Sequence, residues 1–232
     1  MNEISRHSLT APTSSSGRPV TVLYQDDFYV VFDKPAGLLV IPAANEQQRT
    51  LTDIVNQQLS GAGPGWRLHP CHRIDQETSG AIIYAKGKKA QVMMMDLFRK
   101  RAVAKTYIAF VHGKLNRVKG GFRSPIRDPY RRFARPVPAE TQYKVLQVKR
   151  NFSVVEVQPV TGRTNQIRIH FSAAGHPLVG DRKFAFARDY ALKFRRTALH
   201  AASLAWTHPV SRQKIHVHCD LPKDMQDFLS AH

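Results

Sequence analysis

The chain has 232 residues, 42% of them hydrophobic and 22% charged, the balance of an ordinary globular protein long enough for one large domain. Against 35 Lys and Arg stand 17 Asp and Glu, a formal net charge of +18 spread along the whole sequence. That excess calls for a polyanionic partner met by a basic folded surface, and no apolar run approaches the roughly 20 residues that span a bilayer.

Residues 1–19, MNEISRHSLTAPTSSSGRP, lack the apolar stretch of a secretory signal and read as a disordered tail ahead of one domain, 20–232. VTVLYQDDFYVVFDKPAGLLV predicts two strands turning at Asp26–Asp27, then a second turn at Lys34-Pro35-Ala36-Gly37. Leu51, Ile54, Val55 and Leu59 recur at helical spacing behind a Thr50 or Thr52 cap. GAGPG (61–65) is a connector, since no GK[ST] follows it. HRIDQETSG (72–80) is a loop entering a buried strand, AIIYAK (81–86). A helix over 87–101 carries Met94, Leu97 and Phe98 on one face, its three methionines filling core.

Strands are expected at 104–115, 142–148, 152–160, 166–171, 199–209 and 214–222. Residues 116–138 break regular patterning, a short helix is expected within 183–196, and a terminal helix over 222–231. Runs of strands with few helices give an α+β fold with a mixed, largely antiparallel sheet. No GxGxxG follows a strand, so no dinucleotide site is read. Cys71 and Cys219 make no disulfide framework and fit a reducing compartment, taken as the cytoplasm. His69, His72, His216 and His218 flank them without the spacing of a zinc site, so no metal is expected.

Four segments carry the chemistry. His72-Arg73-Ile74-Asp75 is polar and sits in a loop, where chemistry concentrates. In TGRTNQIRIH (161–170), strand alternation separates Ile167, Ile169 and Phe171 from Gln166, Arg168 and His170. A strand Arg among apolar residues needs a carboxylate partner, and Arg163 in the preceding turn is placed to meet phosphate. Lys105 and Tyr107 share one strand face, suiting base stacking and proton transfer. Residues 117–135 hold Arg117, Lys119, Arg123, Arg127, Arg131, Arg132 and Arg135 against Asp128 alone. Interleaved Phe122, Tyr130 and Phe133 suit RNA with unstacked bases.

Together these segments resemble the RluA-type pseudouridine synthases. HRIDQETSG matches the HRLDxxTSG signature. The resemblance runs from VLYQDDFYVVFDKPAGLLV through KTYIAFVHGKL, TGRTNQIRIH and HPLVGD (176–181) to LHAASLAWTHP. It implies flanking helices, a central RNA-binding cleft and Asp75 as the catalytic carboxylate. Tyr107 stands beside the target base, Arg168 pairs with the Asp, and Arg73 helps extrude the nucleotide. Substrate contacts are expected from His72, Lys105, Arg163 and Gln166, and from Arg127 and Arg131 in the basic loop. Ile74 replaces the usual Leu, Asn165 stands where the family usually has His, and Glu77 adds a second carboxylate near Asp75.

The implied reaction isomerises uridine to pseudouridine in structured RNA, ribosomal or transfer, without a cofactor, by a monomer. Three rivals use the same residues. A non-catalytic RNA-binding protein explains the charge but not the combination of Asp75, Tyr107 and Arg168. A hydrolase would use Asp75 and Glu77 as a carboxylate pair at an N-glycosidic bond. A basic ribosome-bound protein fits the charge but not the large apolar share.

Overall fold

Asp26 shapes the first turn. Its Oδ1 accepts from the amides of Phe28 and Tyr29, both at 2.7 Å, folding strand β1 (Thr21–Gln25) onto β2 (Tyr29–Lys34). The computed structural model describes residues 20–42, 48–59, 67–128, 135–185 and 192–232. The predicted tail, GAGPG, Tyr130, Arg131, Arg132 and Phe133 lie outside them.

Helix α1 (Leu51–Leu59) starts on a Thr50–Asp53 capping pair: Asp53 Oδ2 accepts from the Thr50 amide at 2.9 Å, and Thr50 Oγ1 accepts from the Asp53 amide at 3.3 Å. Then follow β3 (Leu68–Pro70), β4 (Ser79–Lys86), α2 (Lys88–Arg99), β5 (Ala104–His112), β6 (Lys119–Phe122), β7 (Thr141–Val148), β8 (Phe152–Pro159), α3 (Gln166–Ala173), β9 (Leu199–Thr207), β10 (Lys214–His218) and α4 (Lys223–Ala231). The strands form one sheet in the order β1-β2-β4-β9-β5-β8-β7-β6, with β3 on β4 and β10 on β9. Every pairing is antiparallel except β4 with β9, so the mixed α+β architecture is as the sequence predicts.

Alternation along the strands buries both faces. Val30, Phe32, Ile82 and Tyr84 pack with α1, while Tyr29, Val31, Ile83 and Ala85 pack with α2. Farther across, Ala109, Val111, Val155 and Val157 meet Ile167 and Phe171 of α3, and Phe110, Phe152 and Val154 meet Met225 and Phe228 of α4. Tyr107 packs against both the α1 and the α3 cluster.

The structure corrects three local readings and leaves a fourth, the short helix within 183–196, partly outside the described residues. Residues 166–171 are helix α3, not a strand. Asn165, left-handed at φ 54°, turns the chain into it. Gln166, Arg168 and His170 are buried along with Ile167 and Phe171, so the helix has no polar face and the 3.6-residue signature is lost. Strand β6 lies inside 116–138, where its two glycines hide the pattern. Among the described residues of 183–196 there is no helix; 186–191 lie outside them. Of the three methionines Met94 is buried and Met93 packs against the core, while Met95 is 45% exposed.

Candidate active site

The catalytic-loop candidate is held from all sides. Lys34, fully buried, donates to the carbonyls of Pro35 (2.9 Å), Leu38 (2.7 Å) and Gln76 (3.0 Å). The Gly37 amide also reaches the Gln76 carbonyl, at 2.8 Å. Arg196 donates to the Glu77 carbonyl at 3.1 Å while its Nε holds Asp224 at 2.7 Å. The loop thus joins the Lys34–Gly37 turn on one flank to α4 on the other. Sequence reading missed both cations; the signal for Lys34 was a lysine closing an otherwise buried strand.

Between α2, β5 and the start of α3 lies a cleft of about 630 Å³, lined by Arg73, Asp75, Lys105, Tyr107, Arg163 and Arg168 among others. Small-molecule sites span about 300–1,000 Å³, so the cleft has room for a nucleotide-sized group. Asp75 keeps a quarter of its side-chain surface open to it. Burial pushes its carboxyl above the usual carboxylate range, against the opposing pull of Arg168, Arg73 and Lys34. Burial and the Asp75 charge push the Tyr107 phenol up, which keeps it neutral. Burial holds Lys105 below the ordinary lysine value, and its Nζ stands over Gly162, 3.6 Å from where a Cβ would lie.

Arg168 faces two carboxylates. Its Nε and Nη2 donate to Asp181 at 2.6 and 2.9 Å, and its Nη1 donates to Asn165 Oδ1 at 2.8 Å and lies 3.7 Å from Asp75 Oδ2. Asp181 is the closer, bidentate partner. Sequence reading missed it, although it closes the HPLVGD segment. Asn165 takes the third edge of the guanidinium, and its own Nδ2 is buried with no hydrogen-bond partner among the described residues.

His72 and Gln166 line the cleft and also have partners within the protein. His72 Nε2 accepts from the Ile83 amide at 3.0 Å and its ring packs on Phe98 at 4.8 Å; burial lowers it to about 3, so it stays neutral. Gln166 spends its amide on Thr161, the Arg163 amide, the Glu140 carbonyl and Thr141. It fixes the 161–166 turn. Phe122 stacks on Tyr143 and meets Phe171 edge-on, so it is core rather than a base platform. Glu77 accepts from the Thr197 amide at 3.0 Å and is absent from the cleft lining, which separates it from Asp75. Arg127 is exposed and does not line the cleft; Arg131 lies outside the described residues. Arg73 and Arg163 are exposed at the rim, with Arg163 Nε donating to the Pro138 carbonyl at 3.3 Å.

Comparison with known proteins gives this geometry its family. Residues 28–173 match the family model described as RNA pseudouridylate synthase. The Bacillus subtilis uncharacterized RNA pseudouridine synthase YhcT is 35% identical over 215 residues, covering 89% of this chain and 70% of that one. The dual-specificity RNA pseudouridine synthase RluA of Pasteurella multocida is 34% identical, covering 89% of this chain and 94% of its own. Among solved structures, human RNA pseudouridylate synthase domain containing 4 superposes with a TM-score of 0.75 at 27% identity, covering 90% of this chain and 91% of that one. With two thirds or more of each curated relative spanned at above 30% identity, the chain belongs to the RNA pseudouridylate synthase family, and its activity is that of an RNA isomerase.

Proposed function

We propose that this protein converts specific uridines of ribosomal or transfer RNA to pseudouridine, with Asp75 acting on an extruded nucleotide. The observation that carries the reading is Asp75 itself: a carboxylate open to a nucleotide-sized cleft, with Arg168 Nη1 at 3.7 Å and Tyr107 in the same lining. An enzyme cannot turn a base inside its stack, so the nucleotide is extruded at a cost of a few kcal/mol, least in a loop. Arg73, exposed at the rim, takes its place in the stack.

In the reaction the N1–C1′ bond breaks, the uracil rotates, and C5 bonds to C1′. The C5 proton leaves and N1 gains one, so the product is an isomer. Asp75 is the nucleophile or the base toward the nucleoside. A neutral Tyr107 serves as a relay, giving up its own proton as it takes the one from C5. The Glu77 carboxylate, bonded to the Thr197 amide, supplies no second acid of the glycosidase kind. The protein works as a cytoplasmic monomer. One relative carries dual specificity in its name and others are named for the large ribosomal subunit, so both RNA classes are tested.

Total RNA from cells lacking the protein, labelled with 5-tritiated uridine, should release tritium on addition of the protein. Asp75→Asn should bind RNA with unchanged affinity and release none. Full release by the variant would remove Asp75 from the role.

A further inference from the structure

The cleft does not end at the catalytic candidates. It continues past His72 to the C-terminal end of α2, where Met95, Phe98, Arg99 and Arg101 line it. Phe98 packs on the His72 ring at 4.8 Å, so this end of the helix is fixed to the loop that carries Asp75. Met94 beside it is fully buried, yet Met95 is 45% exposed and faces the cleft.

Cations at a helix C-terminus have an ordinary use in offsetting the macrodipole. Here the last carbonyls are already met: Lys100, Arg101 and Ala102 amides donate to Asp96, Phe98 and Leu97 at 2.9, 3.1 and 2.8 Å. Asp96, the acid of this segment, holds Arg99 at 2.9 Å and Lys100 at 2.7 Å in exposed pairs, which cost little to exchange for phosphate. Arg101 sits at φ 57°, and among the described residues no carboxylate pairs with it. Three successive cations outweigh Asp96 together with the half-charge of the helix end, and the surface stays positive.

We propose that this end of α2 holds the RNA flanking the target uridine, with Arg99 and Arg101 on successive phosphates and Met95 beneath an unstacked neighbouring base. The proposal rests on the isomerase reading for what occupies the deep part of the cleft. The polarizable thioether of Met95 accepts a base face whatever its identity. The surface therefore adds affinity without sequence preference, leaving choice of uridine to the rest of the cleft.

Salt dependence tests it. Binding of a fluorescein-labelled RNA stem-loop with an all-uridine loop is measured across salt concentrations for the full chain and for Arg99→Gln/Arg101→Asn; Asn suits the positive φ. The logarithmic slope should fall by about 1.4, at about 0.7 per single-strand phosphate. Arg212→Asn/Lys214→Gln, an equal charge loss at the exposed β9–β10 turn outside the cleft, should leave the slope unchanged. Met95→Ala should weaken binding about fivefold without altering the slope. An unchanged slope in the α2 variant, or an equal fall in the β-turn variant, overturns the proposal. Tritium release by the unaltered protein reads the isomerase separately: its absence would sink that reading while the binding slopes still report on the surface.

Discussion

Arg168 gives two of its donors to Asp181, at 2.6 and 2.9 Å, and meets Asp75 with a third nitrogen at 3.7 Å. The guanidinium is therefore anchored by one carboxylate and presented to another. Asp181 is buried and its Oδ1 also accepts from the amides of Lys183 and Phe184 at 2.9 and 3.0 Å, so the anchor is itself rigid.

Removing the anchor's charge should show in stability and in pH dependence. Asp181→Asn leaves a buried arginine without its close anion, a change of about 3–5 kcal/mol for such pairs, read by urea unfolding. Arg168 then closes on Asp75 and draws its pKa down. Unfolding at wild-type urea concentration would show that Asp181 contributes less than its geometry implies.

The pH profile follows from Asp75. Its pKa is raised by burial, so the ionised form is reached only above the ordinary carboxylate range. Activity should fall as pH drops through that raised value, giving an acid limb higher than a solvent-exposed aspartate would set. Arg168 is the largest influence opposing the shift. Arg168→Met should move the limb further up, and Asp181→Asn should move it down. Tritium release measured against pH checks both signs; limbs that coincide in the two variants would show that Arg168 does not tune Asp75.

Lys34 offers a test by linkage. Burial lowers it to about 7, helped by Arg196 and opposed by Asp75, Asp33 and Glu77. Its folded pKa lies below that of the unfolded chain, so between about 7 and the free lysine value the unfolded chain binds more protons. Stability from this group therefore rises with pH across that window, by up to about 1.4 kcal/mol per pH unit. Lys34→Met should lack this slope, so the stability difference between wild type and variant should change with pH across the window. It should also slow the reaction, because the Gln76 carbonyl next to Asp75 loses its ammonium donor. Parallel curves across the window would mean that Lys34 titrates normally.

How much of this was legible depended on whether each residue's role was local. The Asp26 turn, the Thr50–Asp53 cap and the alternating strands are written in neighbouring residues, and they appear where the sequence puts them. Asp75, Lys105, Tyr107 and Arg168 could be named from pattern and resemblance, and the fold brings them to one cleft. Asp181 and Arg196 could not, because Arg168 stands 13 positions from the one, and Asp224 and Glu77 stand 28 and 119 from the other. Helix α3 was misread because its polar residues are buried for hydrogen bonding: Gln166 and His170 both reach Thr141. Buried polar side chains erase the amphipathic period that sequence reading relies on.

The glycine that ends HRIDQETSG has a reason visible only in the fold. Gly80 lies on the parallel seam, paired with Ala201 of β9, at φ 109°. A Cβ there would come within 2.3 Å of the Ala201 carbonyl oxygen, a backbone atom that cannot turn aside. Gly37 also has positive φ, 87°, but nothing lies within 4 Å of its Cβ position. Gly37→Ala should therefore cost only the conformational term, about 1–2 kcal/mol, and keep activity. Gly80→Ala carries that term plus a backbone clash, which only separation of β4 from β9 relieves. The seam places the 72–80 loop against β9, so this variant should lose stability well beyond Gly37→Ala and lose tritium release with it. Urea unfolding of the two variants side by side checks the difference; equal losses would show that φ alone, and not the approach to Ala201, demands glycine at the end of the loop.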